Sequence, residues 1–76
     1  MEDRLVRTAR LSPGEPLAEV SYLAMTYDPE VDAYRLRLMA SPDDPPVAEY
    51  WFASFERAER QASTVFGARF AGWDEE

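Results

Sequence analysis

The sequence contains no cysteine and no histidine. Without cysteine there can be no disulfide, no thiolate nucleophile and no zinc–sulfur site. Without histidine the chain lacks the usual general base and the commonest metal ligand. Because carboxylates are then the main catalytic groups left, we predict a protein that is not an enzyme and that needs no metal or cofactor.

Lysine, asparagine and isoleucine are also absent, and all eight basic residues are arginine. The missing residues have AT-rich codons, so this usage indicates a GC-rich genome, such as that of a bacterium or its phage. No apolar run has the length of a signal peptide, and none approaches the roughly 20 residues of a membrane span. We therefore expect a cytoplasmic protein that does not bind a membrane.

Acidic residues outnumber basic ones by 15 to 8, which gives a net charge of −7. Phosphate contacts need a basic surface, so this charge disfavours direct binding to DNA or RNA. It suits a protein that presents acid to a basic partner. The 76 residues are 46% hydrophobic, which is enough for one small core. We predict a single domain over residues 1–76.

The middle of the chain predicts a β-hairpin over residues 19–40. If Asp28 lies opposite Ala33, residues 29–32 form a four-residue loop, and apolar residues of both strands share one face. The pairs on that face are Tyr27 with Tyr34, Met25 with Leu36, and Leu23 with Leu38. Those on the other face are Thr26 with Arg35, Ala24 with Arg37, and Tyr22 with Met39.

Two further strands are predicted on either side of this hairpin. Residues 47–53 form a strand that returns beside the hairpin, and we favour the register in which Glu49 lies opposite Arg37. Trp51 then lies opposite Arg35, so that opposite charges pair and a guanidinium stacks on an indole. Residues 4–11 alternate weakly and predict an N-terminal edge strand.

A helix is predicted over residues 54–66, with Ser54 as its N-cap and Gly67 at its C-terminal end. Residues 68–73 then form a short strand or an irregular segment. The predicted fold is α+β: a three- or four-stranded antiparallel β-meander with one C-terminal helix packed on one face. Its predicted core consists of Leu23, Met25, Leu36, Leu38, Tyr50, Phe52, Phe55, Ala58, Ala62, Val65 and Phe66.

One helix covers only one side of such a sheet, which leaves the other face as the first candidate site. The predicted registers place five interface-type side chains on it. The alternative is that the terminal segments cover this face and make it a second small core. The five candidate partner-binding residues are Tyr22, Arg35, Arg37, Met39 and Trp51.

The acidic turns form a second candidate site, made of Asp28, Glu30, Asp32, Asp43 and Asp44. The first three begin like a calcium loop, but that pattern needs glycine and glutamate where the chain has alanine and methionine. Carboxylates in proline-rich turns are well solvated, whereas a catalytic acid usually needs burial. We expect these turns to hold no metal and to perform no catalysis.

These features lead to three functional hypotheses. The first is a non-catalytic module that binds another protein through the aromatic–arginine face: an inhibitor, an immunity or antitoxin-type protein, or an accessory subunit. In a variant of this hypothesis, the same face binds a second copy of the chain and forms a homodimer. The second is an acidic decoy that blocks a nucleic-acid-binding surface, as anti-CRISPR proteins of phages can do. The third is a small carboxylate-dependent enzyme.

Overall fold

The computed structural model describes residues 4–74, which form four strands followed by a helix. The strands lie in one antiparallel sheet in the order β1-β2-β3-β4. The predicted α+β meander is thus confirmed, with four strands. No helix among residues 4–74 is long and apolar enough to cross a membrane. The elements are β1 (Arg4–Arg10), β2 (Tyr22–Asp28), β3 (Ala33–Met39), β4 (Pro46–Phe52), α1 (Phe55–Phe66) and a 3₁₀ turn (Gly67–Arg69).

The β2–β3 hairpin has the predicted register. Asp28 lies opposite Ala33, and every pair from there to Tyr22 and Met39 is the expected one. A slip of one residue would have turned the leucines of β3 away from the core, so burial of one face fixes the pairing. The strands are shorter than the predicted 19–40 span. Val20 donates its N–H to the Leu17 carbonyl at 2.8 Å, which makes residues 17–20 a turn instead of strand.

The β3–β4 register is also confirmed, since Arg37 lies opposite Glu49 and Arg35 opposite Trp51. Each of the outer strand pairs contains one irregularity. One is a register shift in β1 between Leu5 and Arg7, and the other lies where Met39 pairs with Pro46. The two edge strands therefore differ in geometry from the regular central hairpin.

Helix α1 begins where the sequence indicated. The Ser54 hydroxyl accepts a hydrogen bond from the Arg57 N–H at 3.2 Å, and Gly67 ends the helix with a φ of 55°. Ala58, Ala62 and Phe66 recur at helical spacing and are buried against the sheet. Residues 68–73 do not form the alternative strand, because the chain continues from Gly67 as a 3₁₀ turn and then irregularly.

Burial within the core falls from the centre of the sheet toward β4. Leu23 and Met25 of β2 are fully buried, and Leu36 of β3 is 2% exposed. Tyr50 of β4, predicted in the core, is 50% exposed, so that prediction is wrong. Its side chain does lie on the helix side of the sheet, but at a cleft between β4 and α1, where the ring stays half exposed.

The loop between β1 and β2 is fastened by Arg69, a buried residue with 5% exposure. Its Nε donates to the Ser12 carbonyl at 2.7 Å, and its two terminal nitrogens donate to the carbonyls of Pro16, Leu17 and Val20. The Ser12 N–H in turn donates to the Arg69 carbonyl at 3.0 Å. One guanidinium thus satisfies four loop carbonyls, which is how an irregular loop can lie over a core.

The C-terminal segment packs on the helix side of the sheet. The Trp73 ring contacts Phe55 and Phe70, with ring centroids 5.8 and 5.0 Å apart, and its indole N–H donates to Glu59 of α1 at 2.8 Å. The Asp74 N–H then donates to the Thr8 carbonyl of β1 at 2.7 Å. These contacts bring the end of the described chain to the β1 edge.

Candidate functional site

The face of the sheet opposite α1 is not covered by any element of residues 4–74, and we call it the open face. Side chains alternate along a strand, so burial of the leucines against α1 turns the alternate residues to this side. The C-terminal segment lies on the helix side of the sheet. Within residues 4–74 it therefore does not cover the open face and does not form a second small core there. Trp51 and Leu5 are about half exposed here, at 50% and 52%.

The β3–β4 half of the open face carries a charged and aromatic cluster. The Arg35 guanidinium lies 4.5 Å from the centroid of the Trp51 ring, in cation–π geometry. The Glu49 carboxylate lies 3.3 Å from Nε of Arg37 and 3.8 Å from Arg35. Because neighbouring strands hold all four residues, the cluster is ordered before any partner arrives. This ordering lowers the entropic cost of binding.

The other two predicted site residues contribute less exposed surface than expected. Met39 is 9% exposed, so its predicted exposure is wrong. It lies on the third of four strands, between its cross-strand neighbours Tyr22 and Pro46. Tyr22 is half-buried. Long side chains on a sheet face cover the shorter residues between them, and Ala24 and Thr26 are buried in the same way.

The acidic hairpin turn at residues 28–32 uses two of its carboxylates to build itself. The Asp28 carboxylate accepts the Glu30 N–H at 2.9 Å, and Asp32 accepts the Tyr27 hydroxyl at 2.6 Å. Asp32 has a φ of 52°, a left-handed conformation that aspartate tolerates better than most residues. Asp28 and Asp32 therefore shape the turn, while Glu30 is exposed at its tip.

The Tyr27–Asp32 hydrogen bond predicts a pH dependence of stability. Donation to the Asp32 carboxylate, with some desolvation, raises the pKa of the Tyr27 hydroxyl above its usual 10.0. Folding thus favours the neutral phenol. The stabilisation is fully present below pH 10 and is lost as the pH rises through the higher folded-state pKa.

Unfolding by urea at a series of pH values, compared with Tyr27→Phe, measures this effect. We expect the stability advantage of the wild type over Tyr27→Phe to hold at neutral pH and to shrink above pH 10. Tyr50→Phe is the control, because the Tyr50 hydroxyl has no hydrogen-bond partner among residues 4–74. An advantage that is constant or grows with alkalinity would contradict the assignment.

The remaining acidic candidates, Asp43 and Asp44, lie in the β3–β4 loop at the opposite end of the sheet. Loops of an antiparallel meander alternate between ends, so these carboxylates are separated by the length of the strands from the turn at residues 28–32. Among residues 4–74 no three acidic side chains cluster as metal ligands would. The structure brings together the arginine–tryptophan residues and keeps the acidic ones apart.

An apolar cleft beside β4 is a feature that the sequence analysis missed. It has a volume of about 130 Å³ and lies between α1 and the outer half of the sheet. Leu17, 37% exposed, stands at it in a left-handed conformation with a φ of 56°, and Arg69 donates to its carbonyl. The half-exposed Tyr50 ring forms the strand side. The lining residues are Leu17, Leu36, Leu38, Tyr50, Gln61, Ala62, Val65 and Phe66.

The sequence signal for this cleft was weak, because its walls come from a loop, two strands and the helix, which only folding brings together. Comparison with protein-family models, curated proteins and solved structures finds no match. The geometry of the chain itself is therefore what points to its function.

Proposed function

We propose that this chain is a non-catalytic module that binds another protein through the open face, and that it acts in the cytoplasm as an inhibitor, an immunity or antitoxin-type protein, or an accessory subunit. The observation that carries the proposal is Trp51. Its indole is half exposed although Arg35 stacks on it, and no element of residues 4–74 covers it. Tryptophan and arginine are among the residue types enriched at binding hot spots.

Electrostatics support a preformed contact surface at this place. Glu49 lies against both arginines and offsets one of their two charges. The cluster therefore presents a flat, partly neutralised surface that can be desolvated at lower cost than two isolated cations. Arg37 and Tyr22 extend it across the sheet, whereas Met39 is buried on the same face between Tyr22 and Pro46.

The first test measures how much Trp51 contributes to partner binding. A pull-down from a lysate of the source organism supplies the partner, and titration calorimetry measures affinity. We expect Trp51→Ala to weaken binding by at least about 2 kcal/mol, or roughly 30-fold, as hot-spot residues do. Val31→Ala is the control, because Val31 is 61% exposed at the tip of the hairpin turn and away from the open face.

The decoy hypothesis makes the opposite prediction for the same partner. Its contacts would be acidic, so reversing Asp43 and Asp44 to arginine would abolish binding while Trp51→Ala bound normally. On our proposal the double reversal changes the association rate more than the dissociation rate. These two positions suit charge reversal better than Asp28 and Asp32, which build the hairpin turn.

A further inference from the structure

The two edges of the sheet are built differently. Strand β1 carries Arg4, Arg7 and Arg10, contains a register shift, and accepts the Asp74 N–H at Thr8. Bulges, charges and a covering segment are the devices by which natural sheets prevent further strands from pairing with an edge. The β1 edge is thus protected within the described part of the chain.

Within residues 4–74 the β4 edge also has a register shift, where Pro46 pairs with Met39, but it lacks the arginines and the covering segment of β1. From Val47 to Phe52 its one charged residue is Glu49, which is held by the arginines of β3. Val47 is 54% exposed, and Tyr50 and Trp51 are each 50% exposed. No other strand or segment of residues 4–74 pairs with its outer side. An edge strand with exposed apolar side chains is a template for another strand.

The β4 edge also lies between the two surfaces described above. Trp51 and Glu49 face the open face, while Tyr50 faces the apolar cleft. A strand added beside β4 would send alternate side chains to these two sides, within about 5 Å of their neighbours on β4. One set would pack beside Trp51, and the other would enter the mouth of the cleft near Leu17.

We propose that β4 binds an extended segment of the partner protein as a fifth strand, an inference that rests on the proposed function and names its binding mode. The segment has apolar side chains at the alternate positions that meet Tyr50 and the cleft, and it has lysine or arginine toward its ends. Main-chain hydrogen bonds supply affinity in this mode, and the alternate side chains supply specificity.

Charge identifies the occupant as a basic segment of another protein. Asp43 and Asp44 precede β4, and the far end of β4 lies at the same end of the sheet as the acidic turn at residues 28–32 and Glu56. Arg57 is the one basic residue beside Glu56 in the first turn of α1. A second copy in antiparallel pairing would set these acidic ends against each other, between chains that each carry a net charge of −7. Basic residues at the ends of a foreign strand would instead meet opposite charge.

Selection from a display library of random linear peptides of about ten residues, which exceeds the length of β4, tests the proposal. We expect the enriched sequences to alternate apolar residues and to carry lysine or arginine near their ends. Asp43→Arg with Asp44→Arg should weaken the selected peptides, whereas the matched exchange Glu15→Arg with Glu19→Arg in the β1–β2 loop should do so much less. Enrichment of sequences without alternation would overturn the proposal.

N-methylation of the tightest selected peptide tests strand addition directly. Successive N–H groups of a strand point to opposite sides, so methyl groups at one alternate set of residues block pairing with β4 and those at the other set do not. We expect one methylated version to lose at least about tenfold in affinity, since several hydrogen bonds are lost together, and the other to bind within about threefold. Equal affinities would overturn strand addition.

The same peptides separate this inference from the proposed function. If only one methylated version loses affinity but Trp51→Ala leaves partner binding unchanged, the open-face proposal fails and the inference of strand addition at β4 is supported. If Trp51→Ala weakens the partner but the methylated versions bind equally, the function stands and the edge inference fails. Sedimentation at low and high salt should show a monomer. A dimer that the substitution Tyr50→Lys dissociates would mean that a second copy of the chain, and not a foreign segment, pairs with β4, and it would overturn the inference.

Discussion

Replacing Leu36 by alanine is expected to lower the free energy of unfolding by about 2–5 kcal/mol. Leu36 is 2% exposed, lies opposite the fully buried Met25, and faces α1 from the centre of the sheet. Its removal leaves a cavity that the regular central hairpin cannot close by moving. A domain of this length has roughly 4–11 kcal/mol of stability in total. The variant should therefore lose a large fraction of its stability and unfold at a markedly lower urea concentration.

Urea unfolding followed by tryptophan fluorescence measures the loss. Val31→Ala provides the comparison, because it removes apolar atoms from a side chain that is 61% exposed, and such changes stay within about 0.5 kcal/mol. Leu38→Ala, at 3% exposure on the same face, should behave like Leu36→Ala. A loss below about 1 kcal/mol for both leucine variants would show that this face of the sheet is not the core.

Replacing Arg69 by methionine should cost at least about 3 kcal/mol, because charged hydrogen bonds contribute roughly 1.5–3 kcal/mol each. The substitution keeps an apolar side chain of similar length and removes the guanidinium that binds four carbonyls of the β1–β2 loop. The effect is expected to be less than the sum of the bonds, since water can reach much of this exposed loop.

The loss of Arg69 should also loosen the loop before the rest of the domain unfolds. Limited proteolysis is expected to cut within residues 12–20 in Arg69→Met and not in the wild type. Arg69→Lys should rescue only part of the stability, because a single ammonium cannot reach carbonyls spread around a planar fork. Arg60→Met, on an exposed position of α1, is the matched control. Equal stability and equal protease resistance of Arg69→Met and Arg60→Met would refute the role of Arg69.

The Arg69 network also connects stability to the proposed binding edge. The Leu17 carbonyl accepts hydrogen bonds from the Arg69 guanidinium and from the Val20 N–H. These bonds hold Leu17 in its left-handed conformation, which costs a non-glycine residue about 1 kcal/mol or more. Leu17 stands at the cleft beside Tyr50. A partly folded Arg69→Lys variant should accordingly bind the selected peptides more weakly than its stability alone would indicate.

Local sequence patterns determined those secondary-structure elements that depend only on a few neighbouring residues or on one hairpin. The alternation of apolar and polar residues on both sides of residues 29–32 gave one register that buries a whole face, and the structure has that register. The Arg37–Glu49 pair aligned β4 in the same way. Ser54 and Gly67 marked the helix ends, because capping depends on the backbone of the next few residues.

Tertiary structure alone decided how much of each face is covered. Tyr50 and Phe52 share a side of β4, yet Tyr50 is exposed, because the path of α1 over the sheet is set by packing and not by strand period. Met39 is buried on the open face because it lies on an inner strand among long neighbours. Neither the order of the residues along β3 nor that along β4 contains this information.

The position of Arg69 shows most clearly why the sequence by itself was not sufficient. As one of eight arginines it had no distinguishing neighbour, and its carbonyl partners are 49 to 57 residues earlier in the chain. Backbone carbonyls are present at every residue, so a bond to them leaves no pattern of residue types. The sequence thus determined the sheet, its register and the residues of the open face, while chain folding decided which arginine is buried and which edge the C-terminal segment contacts.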